Sequence, residues 1–181
     1  MIVDVLLLLL LAGGFVLGFF RGVMRQLLAL GVWLAVFVAA AYLRLPLGDW
    51  LSRSSSQFSF DYALLLAFAF LFLVLLIGTL ALTQFSGAGS ALARYPLLDD
   101  ALGGICGLAL AILVAASLLV ILDSYFLVHP TPVAGEVAWL RGLHESFSGS
   151  ALAPPLRDWV IRPLGSLLGP LLPAEIRLVM G

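Results

Sequence analysis

The sequence predicts an all-α membrane protein: four transmembrane helices with a tight first hairpin, followed by C-terminal amphipathic or interfacial helices. Three observations carry this. Hydrophobic residues make up 63% of the 181 and charged residues only 10%, against roughly 45–50% and about 25% in soluble domains. Four segments, near residues 3–20, 24–43, 62–85 and 101–122, approach or exceed the roughly 20 apolar residues that a helix needs to cross a bilayer. After Leu122 the composition shifts, and the last 58 residues hold seven of the nine prolines. The expected division is a four-helix transmembrane domain over residues 1–123 and an amphipathic, membrane-associated tail over 124–181.

The first two segments are separated only by GFFRGVMRQ, residues 18–26. One helix through residues 3–43 would run about 60 Å at 1.5 Å per residue, twice the roughly 30 Å hydrocarbon core. A break at Arg21-Gly22 resolves this: Gly22 supplies the backbone freedom for a reversal. Arg21 and Arg25 then reach the membrane surface, where guanidinium groups meet lipid phosphates. The alternative is a functional arginine buried within the membrane. The first segment has no basic residue before it and no small-residue cleavage site before Arg21, so it reads as a retained helix, with a secretory signal as the alternative.

The connection over residues 44–61 contains Pro46, Gly48 and a serine run, which end the second helix and read as loop. Trp50, Phe58 and Phe60 suit a membrane interface. The next connection, residues 86–100, holds GAGS, Arg94-Tyr95-Pro96 and then Asp99 and Asp100. The two carboxylates are expected to cap the N-terminus of the fourth helix; an ion-binding pair is the other reading, without a nearby His or third carboxylate to complete it. Asp123 closes the fourth span. In the tail, Val137, Leu140, Leu143 and Phe147 recur at helical spacing, with Arg141, His144 and Glu145 on other faces. Residues 154–173 form a second amphipathic stretch broken by prolines, with Trp159 between Arg157 and Arg162. Neither stretch spans; both are expected to lie on the membrane or fold back on the bundle.

Small residues recur four apart: Gly14, Gly18 and Gly22, then Gly103, Gly107 and Ala111. In lipid, close backbone approach at small residues substitutes for a hydrophobic drive. These faces serve packing within the chain, or a protein partner or second copy; membrane lipids are the other partner.

The chemistry-bearing residues are sparse. The nine basic residues are all Arg and are scattered, so there is no basic face for nucleic acid. Cys106 is the only cysteine and reads as a packed small side chain. His144, Glu145 and Ser146 are adjacent, and adjacent helix residues point in different directions, so they do not suggest a triad. His129 precedes Pro130 in a loop and reads as solvated. No predicted span carries an ionisable residue near its middle, which argues against a proton or ion relay; a pore lined by Ser117, Thr79, Thr83 and backbone stays open. No enzyme activity, cofactor or metal is expected.

The GFFRGVMRQ stretch resembles the colicin V production protein family. Members show a short spanning helix opening with Asp, a G-x-x-R-G-x-x-R-E signature and an L-L-x-L-x-x-W run. Here Asp4, then Gly18, Arg21, Gly22 and Arg25, then Leu27, Leu28, Leu30 and Trp33 match. A second family pattern, D-R-x-x-G-x-x-x-G-x-x-R-G, is met by Asp99, Gly103 and Gly107. Trp139 and residues 150–154 (SALAP) are similar to the family's tail, and the resemblance covers about residues 1–165. Gln26 departs from the family's Glu, Asp100 from its Arg, and Leu110-Ala111 from its Arg-Gly, so some charged pairs open to relatives are lost. The resemblance implies a multi-pass protein of the bacterial inner membrane, linked to colicin V production, toxin export or envelope upkeep. Some members carry an extracytoplasmic serine-protease domain after the four spans. By that arrangement both termini are periplasmic and the Arg21/Arg25 hairpin cytoplasmic. Arg21, Arg25 and Arg94 would then be inside, with Arg44, Arg53 and the four tail arginines outside, the reverse of the positive-inside rule by number.

Overall fold

The computed structural model describes residues 2–54, 58–85, 96–133 and 136–180. Four long helices come first: α1 (Ile2–Arg21), α2 (Val23–Ser54), α3 (Phe60–Phe85) and α4 (Pro96–Phe126). The tail adds α5 (Ala138–Ser148), α6 (Ala153–Leu156), a π turn (Arg157–Ile161), α7 (Arg162–Leu168), a 3-10 turn (Gly169–Leu171) and α8 (Ala174–Met180). No strand occurs among the described residues. All four long helices are long and apolar enough to cross a membrane.

Two helices differ in their boundaries from the sequence reading. The first is α2, which runs past Pro46 and Gly48 to Ser54. A proline in a helix removes one backbone hydrogen bond, a loss that neighbouring segments offset in membrane proteins. Here Leu64 packs so closely on Gly48 that a Cβ would come within 2.6 Å of its methyl. The last turns are tied locally by an Arg53–Asp49 ion pair of 2.8 Å and by the hydroxyls of Ser52 and Ser54 donating to the carbonyls of Asp49 and Trp50. Arg44 therefore lies inside a helix and is 4% exposed, not in a loop.

The second is α4, which begins at Pro96, a residue whose fixed φ and missing N–H suit a first helical position. Asp99 consequently stands within its first turn, with Asp100 following it, and neither is at its N-cap. Nor does Asp123 end α4, which continues to Phe126. The α3 start is capped by Ser59, whose hydroxyl accepts the Tyr62 N–H at 3.3 Å. Residues 86–95, with GAGS, Arg94 and Tyr95, lie outside the described residues, as do residues 55–57 of the serine run and the side chain of Thr83.

The chain forms two compact units. The first comprises Met1–Val36 and Leu75–Ala115. Its buried apolar residues include Leu7, Ala29, Trp33, Leu76 and Ala111. The second comprises Phe37–Val74 and Ala116–Gly181. Phe37 lies at its centre, with ring centroids 5.9 Å from Phe68 and 6.1 Å from Phe72. Alanines 40, 41, 63 and 67 let the surrounding helices approach, and Leu119 and Ile121 fill between them.

Candidate functional site

In the first unit, the hairpin motif is a helix stop and a helix start with one residue between. Gly22 has φ +76°, the left-handed conformation that ends helices, and its N–H donates to the Gly18 carbonyl at 3.1 Å. α2 starts at the next residue. Its first N–H, on Val23, donates to Asp99 Oδ1 at 3.2 Å. Asp99 thus caps α2 while sitting in the first turn of α4, where its negative charge also opposes the positive end of that helix. The conformation requires glycine, and a Cβ on Gly22 would meet Asp99 Oδ2 at 2.5 Å and displace the capping carboxylate. Arg21 is half-buried and Arg25 exposed; Asp100 is half-buried.

The four-residue repeats face one another antiparallel. Gly14 meets Gly107 and Ala111, Gly18 meets Gly103 and Gly107, and Gly22 meets Gly103 and Asp99. A Cβ on Gly18 would stand 2.3 Å from the Gly103 carbonyl oxygen, and one on Gly107 2.2 Å from that of Gly14. Backbone lies against backbone here, and no side-chain rotation can relieve such a contact. Ala111, where the family pattern has Gly, places its Cβ against Gly14. Gln26, where the family has Glu, is 2% exposed, and its Oε1 accepts no hydrogen bond.

The second unit holds the polar chemistry. Asp123 is buried, its side chain 5% exposed. Arg157 donates to it from Nε at 3.2 Å and from Nη2 to both oxygens at 3.0 Å, the two-pronged geometry that makes such pairs strong. His144 Nε2 stands 2.9 Å from Asp123 Oδ1, and Ser148 Oγ is 3.3 Å from that same nitrogen. A relay needs the carboxylate on one ring nitrogen and the hydroxyl on the other. Both partners here share Nε2, so the group is an ion-pair junction and not a triad. Glu145 and Ser146 are exposed.

Beside it, Tyr125 donates its hydroxyl to Glu136 Oε1 at 2.6 Å. Arg141 donates to Glu136 Oε2 from Nε at 2.9 Å and from Nη2 at 2.7 Å. The same guanidinium reaches the carbonyls of His129, Pro130 and Thr131 and lies 5.0 Å over the Phe126 ring. Burial acts to raise the Glu136 pKa; the hydrogen bonds from Tyr125 and Arg141 outweigh it and hold the group below its ordinary range. His129 is not simply solvated: it stacks on Tyr125 at 4.6 Å, with Nε2 3.5 Å from Asp61. Arg44 pairs with Glu175 of α8 and lies 5.7 Å over Phe68.

Sequence reasoning missed these partners because they are 21, 34 and 131 residues apart. The one local signal was Asp123 itself, a carboxylate directly following an apolar run. Among the described residues no group of three or more His, Cys, Asp or Glu is placed to hold a metal ion.

The family model described as colicin V production protein matches residues 3–158, which include the hairpin, Asp123, Glu136, His144 and Arg157. No curated protein and no solved structure matches the chain.

Proposed function

The chain belongs to the colicin V production protein family, and from that premise we propose that it is a non-enzymatic scaffold or accessory protein of the bacterial inner membrane, acting in colicin V production, toxin export or envelope maintenance. The observation that supports a scaffold is the self-contained pairing of the polar groups. Asp123 is held by Arg157 and His144, and Glu136 by Tyr125 and Arg141. Buried charges engaged in this way hold a specific arrangement of helices, and neither of these two carboxylates is free to act as a base. Thr79, a candidate pore residue, donates its hydroxyl to the Leu75 carbonyl of its own helix. Ser117 is buried.

A second reading, a structural subunit of a larger membrane complex, is favoured by α1. It is the least buried of the four spans, 17% against 56% for α4, and Leu6, Leu9, Leu17 and Phe20 are exposed along it. An apolar surface of that kind meets lipid or another chain's helix. Purification of the tagged protein from native membranes in mild detergent, with mass analysis of what accompanies it, tests both. A stoichiometric partner from the export or envelope machinery supports the accessory role and names the process. A homo-oligomer that conducts solute in liposomes overturns it in favour of a channel.

A further inference from the structure

The second unit has a cleft of about 440 Å³ whose wall includes Arg44, Asp61, His129, Glu175, Leu64 and Leu178. Its wall combines one buried cation, two exposed carboxylates and an apolar side. The Arg44 side chain is 4% exposed, and its Nε has no acceptor. Nη2 is engaged by Glu175, whose own side chain is 67% exposed. A solvent-facing carboxylate is a weak partner, and a guanidinium fork is complete only when two oxygens meet it side by side. Asp61, 57% exposed, contacts only the His129 ring at 3.5 Å among the ion pairs.

Depth along the helix points to lipid. Arg44 follows an apolar run of about one bilayer crossing, residues 27–43, which begins just after Arg25 and Gln26. On the same helix Tyr42 and Trp50 flank it, exposed at 53% and 62%, as aromatic residues do at headgroup level.

We propose that this cleft binds the headgroup of a zwitterionic aminophospholipid, with the phosphate on Arg44, the ammonium between Asp61 and Glu175, and an acyl chain along Leu64 and Leu178. The phosphate supplies the two adjacent oxygens that the guanidinium lacks. It displaces Glu175, which turns to the ammonium beside Asp61. Arg44, Asp61 and Glu175 give the wall one positive and two negative charges. A purely anionic headgroup is therefore repelled. A trimethylated amine has no N–H to donate to the carboxylates and binds more weakly. This assignment is independent of the scaffold reading and stands or falls separately.

The test is native mass spectrometry of the full chain released from nanodiscs holding equal phosphatidylethanolamine, phosphatidylglycerol and phosphatidylcholine. The wild type is expected to retain phosphatidylethanolamine about tenfold over the other two, the ratio that one charge-assisted hydrogen bond supports. The double variant Asp61→Asn/Glu175→Gln changes two exposed side chains and leaves Arg44 as the only charge in the wall. It is expected to reverse the preference toward phosphatidylglycerol. Arg44→Gln is expected to retain no lipid selectively; because Arg44 is buried, its result counts only with an unchanged melting curve, and the double variant carries the test otherwise. Bulk lipid ratios on both wild type and double variant overturn the proposal. So does displacement of the retained lipid by millimolar phosphoethanolamine, which would make the ligand a soluble zwitterion.

Discussion

In the first unit α1 and α4 meet through glycines, with carbonyl oxygens where side chains would otherwise stand. In the second unit the helices meet through large aromatic rings and through carboxylates buried against arginine and histidine. The first arrangement spends no desolvation and tolerates no added atom. The second places charge in a poorly hydrated setting, where each group depends on its partner. The two units should therefore fail in opposite ways: the first to atoms added, the second to charges removed.

The largest effect is expected at Arg157. Arg157→Met leaves Asp123 buried with His144 as its remaining partner; because the Arg157 side chain is 35% exposed, the loss should fall at the low end of the about 3–5 kcal/mol that breaking a fully buried pair costs. Unfolding in detergent followed by circular dichroism measures it. Gly18→Leu comes next. The added Cβ would lie 2.3 Å from a backbone oxygen, and overpacking of this kind costs about 1–3 kcal/mol or more. Gly13→Ala is its control: it sits in the same helix with nothing within 4 Å of an added Cβ. It should be neutral or stabilising by up to about 1 kcal/mol. A Gly13→Ala variant as damaged as Gly18→Leu would break the distinction.

Gly22→Ala is expected to cost about 1–2 kcal/mol from the left-handed backbone alone, with a further loss because the new methyl pushes on the Asp99 carboxylate that caps α2. The discriminating readout is hydrogen exchange at the Val23 amide, which should quicken in the variant. The smallest effect is a pH dependence. Folding lowers the Glu136 pKa from its ordinary 4.5, so the unfolded chain takes up the proton first as pH falls. The contribution is complete above pH 4.5 and is lost as the pH drops through the folded value. A thermal melt of Glu136→Gln should lose part of the wild type's stability decline below that pH.

The contrast between the units also explains what the sequence could reveal. Glycines four apart announce a face because helix geometry maps that spacing onto one side. The identity of the opposing helix was not legible from the spacing, since nothing in it relates Gly14 to Gly107. The α3 span was legible to within two residues at its start, because a charge-free apolar run has no other use. The end of α2 was not: Pro46 and Gly48 are stop signals in water, and here tertiary packing by Leu64 and local Asp49–Arg53 pairing override them. Asp99 was legible as a capping carboxylate, but its beneficiary was not, because the Val23 amide lies 76 residues away. The amphipathic period of α5 was readable, whereas the pairing of His144 and Arg157 with Asp123 depends on how the tail folds back on α4.

The central claim is that the buried polar junction serves architecture and not chemistry. The triple variant Asp123→Leu/His144→Phe/Arg157→Met tests it most directly, by replacing the junction with apolar groups of similar size. Such exchanges are commonly neutral for stability. The account predicts a folded protein that still complements a deletion strain in colicin V production and envelope integrity. A variant that folds with an unchanged melting curve yet fails to complement would contradict it, and would assign the junction a direct part in the activity.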